Sequence, residues 1–247
     1  MKSILTDKID VLIPLGHGSG WDNNELRYSL RSLQENLSNI GNVYLIGFKP
    51  DWIADVIHVP YQDPHISSKF RNQNILQKIL FTIRNYDVSD NFVFTNDDIF
   101  FLKPTDQNNL HNYTDCTMQE YLERNPMLNI IYKRAFLSTI QYLREKNLPM
   151  QHYDNHTPII YNKFKFENIF ADIQHEIVIK SIYGNSITPI IFDNKVFKPL
   201  SLQQIENQNK DQPFFSVADK ALNEDMKEYI KTKFKKQSKY ESTQNIY

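Results

Sequence analysis

Phe92-Val93-Phe94-Thr95-Asn96-Asp97-Asp98-Ile99-Phe100-Phe101-Leu102-Lys103-Pro104 is the stretch on which the reading of this chain turns. An apolar run breaks at Asn96-Asp97-Asp98 and resumes before Lys103-Pro104. Apolar runs of this length read as buried strands of an α/β sheet. Ligand chemistry in such sheets gathers at the carboxyl ends of the strands. Two neighbouring carboxylates there are costly to bury unless something positive neutralises them. A divalent cation carrying a phosphorylated donor meets that need, because Mg²⁺ is commonly held by one or two carboxylates plus substrate phosphates. The same tripeptide would also serve as a solvated turn between two strands. The apolar sequence on both sides favours a site.

The chain around it has 247 residues, enough for one large α/β domain or a domain with a small cap, and its 40% hydrophobic and 13% aromatic content suffices for a core. A formal net charge of -1 gives no global push toward nucleic acid or membrane. Basic residues cluster only in Lys231-Thr232-Lys233-Phe234-Lys235-Lys236, which reads as a solvated helix face. Cys116 is the sole cysteine, so neither a disulfide framework nor a thiolate zinc site is expected. The first eight residues lack the apolar centre of a signal peptide, and no segment has the apolar length of a membrane span. These features predict a soluble cytoplasmic protein with no transmembrane segment and no nucleic-acid partner.

Upstream, Ile9 to Gly16 predicts a first strand that runs into Gly16-His17-Gly18-Ser19-Gly20. This loop has neither the Walker lysine nor the dinucleotide spacing, though glycines after a first strand suit close approach to a nucleotide. Asp22 or Asn23 then caps a predicted helix to about Leu37, with Leu26, Leu30, Leu33 and Leu37 at helical spacing. Arg27 and Arg31 lie four apart on one face, placed either for an anionic donor or for pairing with Glu25 and Glu35. Val43 to Gly47 and Asp55 to Pro60 read as strands, and Phe70 to Tyr86 as a helix. The alternation predicts a parallel or mostly parallel sheet. That second helix opens on the amide-rich Arg71-Asn72-Gln73-Asn74, whose amides either cap the helix or read a base or sugar hydroxyl.

Downstream, residues 105–150 read as a helical insertion or lid, with an amphipathic stretch from Tyr132 to Leu143. Met150 to Pro158 is a second polar cluster. His152 and His156, four apart with Asp154 between, would form a metal pair only on a helix; Asn155 and Pro158 argue for a loop, so no zinc site is expected there. A histidine general base oriented by a carboxylate is the better functional reading of this cluster, beside a plain structural loop histidine. Tyr183-Gly184-Asn185 looks like a turn, Thr188 to Phe192 a late strand, and Ser201 to Gln212 a mobile loop. Pro213 to Asp219 sets a third acidic residue after an apolar run, Ala221 to Lys235 reads as a helix, and residues 238–247 as a frayed tail. No linker divides the chain, so residues 1–247 are expected to form a single domain.

The order of these motifs resembles the Stealth proteins, the sugar-phosphate transferases of microbial capsule synthesis, related to the animal lysosomal-enzyme N-acetylglucosamine phosphotransferase. Ile9 to Pro14 is similar to the opening block of that family. Asp22 to Ser32 and Phe94 to Phe100 are similar to the start and end of its second block. His156-Thr157-Pro158 looks like its third, and Ser216 to Asp219, with Ser238 to Glu241 behind, like its fourth. Four features depart: the family's amide motif survives only loosely, as Arg71-Asn72-Gln73-Asn74; no arginine follows His156, where Lys180 is the nearest cation of promise; Ser216 and Ala218 stand where the family has Cys and Asn; and the first block has no Trp-Val-Asp continuation.

The resemblance implies a nucleotide-diphospho-sugar transferase fold, a GT-A-like three-layer α/β sandwich with a mostly parallel central sheet. It implies Mg²⁺ or Mn²⁺ on Asp97 and Asp98, with Asp219 completing or supporting that site. Arg27, Arg31 and Arg71 become candidates for donor phosphate, and Asn72, Asn74 and Asn96 for other donor contacts. His156 would deprotonate a hydroxyl of an acceptor glycan, which attacks the phosphorus attached to the sugar and expels a nucleoside monophosphate. Positioning and charge neutralisation carry most of such catalysis. Two readings compete: a glycosyltransferase of the same fold that releases nucleoside diphosphate, and a nucleotide- or carbohydrate-binding module without turnover.

Overall fold

Alternation along Ile9–Leu15 (β1) sends Ile9, Val11, Ile13 and Leu15 to one face of a sheet and Leu12 to the other, and all five are buried. The computed structural model describes residues 8–65, 67–107, 110, 113–187, 191–192, 199, 201–207 and 212–242. Helix α1 (Asn24–Asn36) lays Leu26, Leu30 and Leu33 on the odd-numbered face of β1, with Leu37 just beyond its end. Each such fully buried leucine contributes about 2 kcal/mol of transfer free energy. Strands β2 (Ile40–Gly47) and β3 (Ile57–Val59) follow, then α2 (Arg71–Asn85), whose Leu76, Ile79 and Leu80 cover the opposite face.

Strand β4 (Asn91–Phe94) pairs parallel with β1 on the side away from β2. Ile99–Phe101 forms β5, and β6 (Tyr113–Thr114), α3 (Met118–Arg124) and α4 (Ile130–Glu145) come next. Strand β7 (Ile159–Asn162) lies antiparallel beside β4, giving a five-stranded sheet ordered β3-β2-β1-β4-β7. The expectation of a mostly parallel sheet in an α/β fold therefore holds. Helices α5 (Lys163–Phe170) and α6 (Ile179–Ile187) add Phe166, Phe170, Ile182 and Tyr183 to the α2 side. Beyond them lie β8 (Ile191–Phe192), α7 (Leu202–Asn207), β9 (Phe214–Ser216) and α8 (Glu224–Lys233).

Strand β5 pairs with β9 on one edge, and α1 satisfies the other with side chains. Ser29 Oγ donates to the Ile99 carbonyl (2.6 Å), the Phe101 N–H donates to Ser32 Oγ (2.9 Å), and Asn36 Nδ2 donates to the Phe101 carbonyl (3.0 Å). These buried hydroxyls look out of place in a helix until the strand they serve is seen. They fix the backbone that follows Asp98.

Several sequence expectations are corrected. Asn23 does sit at the N-cap of α1 but in a left-handed conformation (φ 57°) with no side-chain capping bond; Ser19 Oγ instead accepts from the N–H groups of Trp21 (3.0 Å) and Asn23 (2.7 Å). Tyr183-Gly184-Asn185 lies inside α6, not in a turn, and a β-carbon at Gly184 would come within 2.4 Å of the Tyr153 ring. Residues 202–207 of the expected mobile loop are helical, while 208–211 lie outside the described residues. Thr188 to Ile190 of the expected late strand lie outside them too. Residues 238–242 are not frayed: Ser238, Tyr240 and Glu241 are buried, and the Ala54 N–H donates to the Tyr240 carbonyl (2.8 Å). Residues 243–247 are again outside the description. Among the described residues no helix is long and apolar enough to cross a membrane.

Candidate functional site

The strand order reverses between β1 and β4: β1 leads through α1 to β2 on one side, and β3 leads through α2 to β4 on the other. Crevices at such switch points, outside the carboxyl ends of the strands, are where open α/β sheets bind ligands. Two segments border this one, the glycine loop after β1 and Asn96-Asp97-Asp98 after β4. Asp22 and Asn23 both hold positive φ (51° and 57°), an unusual pair of left-handed non-glycine residues beside the crevice.

Glu25, on the first turn of α1, brings its charge to bear on Asp97 beside that of Asp98. Burial first, then the charges of Asp98 and Glu25, push the Asp97 carboxyl up to about 7, against the opposing pull of its own backbone N–H and of Arg71. Glu25 Oε2 and Arg27 Nε are both buried without a hydrogen-bond partner among the described residues. The Arg27 guanidinium lies over the Trp52 ring, 4.5 Å from its centroid. Carboxylates that repel one another in this way, with an acceptor oxygen unsatisfied, would gain from a divalent cation.

Asp219 stands on the exposed 3-10 turn after β9, and the neighbouring Val217 N–H donates to the Asp98 carbonyl (3.2 Å). Its strand thus runs to the site, yet among the described residues neither Asp219 nor Glu25 forms with Asp97 and Asp98 a group of three whose donor atoms all lie within 4.8 Å. Arg71 comes near Asp97, and Asn96 is half-buried beside it. Arg31 does not join them: it is bonded to Glu241 and to the Phe234 carbonyl. Asn74 is a backbone clamp, its Nδ2 donating to the His65 carbonyl (2.7 Å) and its Oδ1 accepting the His65 N–H (3.3 Å). Gln73 and Asn72 turn their backbone N–H groups to the Glu176 carboxylate, which caps α2.

His156 reaches the same end of the sheet from the other side. Antiparallel pairing aligns Phe94 with Ile159, so Asp97 lies three residues beyond that pair on one chain and His156 three before it on the other. His156 holds φ 51°. Burial opposes ionisation of Asp154, yet His156 and Lys180, with the Tyr132 hydroxyl that donates to it, hold its carboxyl below the usual range. Lys180 Nζ donates to the Thr157 carbonyl (2.6 Å) and lies over the Phe94 ring. The cation singled out from sequence is therefore beside the histidine loop, with an orienting carboxylate present.

A second cluster was missed. Asp115, Cys116 and His152 bring an oxygen, a sulfur and a ring nitrogen within 4.8 Å of one another, a group that could hold a metal ion. Discounting a thiolate site because the chain has one cysteine overlooked mixed ligands. Neither nitrogen of His152, 2% exposed, has a hydrogen-bond partner among the described residues, and such an unsatisfied group costs about 1–3 kcal/mol. The facing His152 ring, opposed by burial and helped by the Cys116 thiol, holds the Asp115 carboxyl below its usual range. Burial, with Asp115 adding to it, pushes the Cys116 thiol up to about 12. The only sequence signal was that all three residue types can ligate a metal; their apposition is long-range.

No protein-family model matches the sequence, and no curated protein matches it as a relative.

Proposed function

We propose that the chain is a metal-dependent transferase acting on a nucleotide sugar, moving sugar-1-phosphate to a hydroxyl of an acceptor glycan in the way of the Stealth proteins it resembles. The reading rests on one observation: Asp97-Asp98 follows β4 at the switch point of a mostly parallel sheet, where burial and the charges of Asp98 and Glu25 push the Asp97 carboxyl up to about 7. In this reading the sheet and its flanking helices form a GT-A-like sandwich. Asp97 and Asp98 would hold Mg²⁺ or Mn²⁺, with Asp219 in support, and the ion would neutralise the donor diphosphate. Arg27 and Arg71 supply guanidinium groups to the same anion. His156, oriented by Asp154, takes the proton of the acceptor hydroxyl as its oxygen bonds to phosphorus. The bond from that phosphorus to the nucleoside monophosphate breaks, and the monophosphate leaves with the electron pair.

Incubation with a panel of nucleotide sugars, Mg²⁺ or Mn²⁺ and mixed glycan acceptors, followed by chromatography of the nucleotides, tests this. Nucleoside monophosphate is the expected product. Nucleoside diphosphate would replace the proposal with transfer of the sugar alone. Neither product from any donor, with donor still bound, would leave a binding module.

A further inference from the structure

The Asp115, Cys116 and His152 side chains play no part in the transfer proposed above. Asp115 and Cys116 sit in the bend between β6 and α3, and His152 in the loop that continues to Asp154 and His156. The two segments are laid side by side by backbone bonds: His152 N–H to the Cys116 carbonyl (3.0 Å) and Met118 N–H to the Met150 carbonyl (2.8 Å), with a bridge between Thr117 and Gln151. We propose that Asp115, Cys116 and His152 bind a zinc ion that pins the loop carrying Asp154 and His156 to the segment entering α3.

The donor atoms already stand close to the spacing zinc requires. Cys116 Sγ is 3.3 Å from Asp115 Oδ1, and His152 Nδ1 is 3.9 Å from the same oxygen. Tetrahedral zinc with ordinary sulfur, nitrogen and oxygen bond lengths sets its ligand atoms roughly 3.3–3.7 Å apart. The His152–Asp115 approach is too long for a hydrogen bond, leaving the buried imidazole nitrogen facing the carboxylate and thiol unbonded. Arg124 Nη1 takes the other carboxylate oxygen, Oδ2, at 3.3 Å, so Oδ1 is the one turned inward. Tyr121 stacks on the imidazole with ring centroids 4.1 Å apart and fixes its plane. A thiolate with an imidazole selects zinc over Mg²⁺ or Ca²⁺. Three protein ligands leave the fourth position to water, and the thiol proton is released to solvent on binding.

The test uses the full chain, stripped with chelator and titrated with Co²⁺ and then Zn²⁺. The parent is expected to develop a near-ultraviolet sulfur-to-cobalt band with visible bands of tetrahedral cobalt, all removed by one equivalent of zinc. Cys116→Ser should lose the near-ultraviolet band and bind zinc at least about tenfold more weakly, while Asp97→Asn should keep both. Absence of the sulfur-to-cobalt band in the folded parent overturns the proposal without recourse to any variant. Equal zinc affinity in parent and Cys116→Ser overturns it too, since the ion then sits elsewhere. Neither reading depends on transferase activity, so failure here and failure of the transfer chemistry are separable.

Discussion

Arg31 on α1 and Glu241, 210 positions later, close a two-pronged salt bridge, Nη2 to Oε2 at 2.7 Å and Nε to Oε1 at 2.8 Å. Glu241 Oε1 also accepts from the Ser238 N–H (2.9 Å), so one carboxylate fastens the C-terminal segment to the first helix. Breaking such a pair strands a largely desolvated guanidinium. Glu241→Gln is expected to lower stability by about 1–3 kcal/mol in urea denaturation. Burial opposes ionisation of Glu241, but Arg31 and Ser238 hold its carboxyl below the usual 4.5. Its contribution is therefore complete above about pH 4.5 and is lost as pH falls through the lower folded value. The parent-minus-variant gap should narrow below that pH; a gap constant from pH 3 to pH 8 would refute the assignment.

Asp97 carries the opposite sign. Its carboxyl rises from 3.8 to about 7 in the fold, so the folded metal-free chain binds more protons than the unfolded one across that window. Stability falls as pH rises through it, and above about pH 7 the full cost is present. Asp97→Asn should stabilise the metal-free chain at pH 8 by at most ~2–4 kcal/mol and leave it nearly unchanged at pH 4. Mg²⁺ or Mn²⁺ should remove the difference at pH 8 by stabilising only the parent. Equal melting temperatures of parent and variant at pH 8 without metal would sink the carboxylate cluster.

How much of this was legible follows the range of the interactions. The apolar run from Ile9 and the spacing of Leu26, Leu30, Leu33 and Leu37 are local patterns, and they yielded β1 and the helical span of α1. Asp97-Asp98 stood out because two carboxylates interrupt an apolar run. Glu25 is recognisable as their neighbour only once β1 and β4 are adjacent strands. Ser29 and Ser32 look like weak helix residues until β5 needs partners. The tail read as frayed because its polar residues find their partners near Arg31 and Trp52, some 200 positions back. Cys116 and His152 meet through the bridge between Thr117 and Gln151, which no sequence period announces.

Gly184 misled in another way, since a glycine inside a helical pattern reads as a break. Here it is a packing residue that lets the Tyr153 ring lie against α6, where an added β-carbon would come within 2.4–2.8 Å of three ring atoms. Gly184→Ala is expected to destabilise by about 1–3 kcal/mol despite its better helix propensity. Tyr153→Leu made in the same chain should recover part of that loss, and the double-mutant cycle measures how much. Additive losses would show that the contact with Tyr153 is not what the glycine serves.

His156 offers the clearest separation of stability from chemistry. Its φ of 51° is a conformation that L residues with a side chain hold at a cost and glycine holds freely. Relief of that strain favours glycine, while the interaction of the His156 side chain with the buried Asp154 carboxylate favours histidine. His156→Gly should leave the fold intact and change stability by less than about 1 kcal/mol in denaturant titration, strain relief offsetting the lost interaction with Asp154, while turnover of the nucleotide sugar falls by about 10²–10⁴ with little change in donor binding. Asp154→Asn should reproduce the kinetic loss in smaller measure, since Asp154 acts only by orienting and polarising the ring. A folded variant that is equally active would remove His156 from the chemistry and return the base to another residue of the crevice.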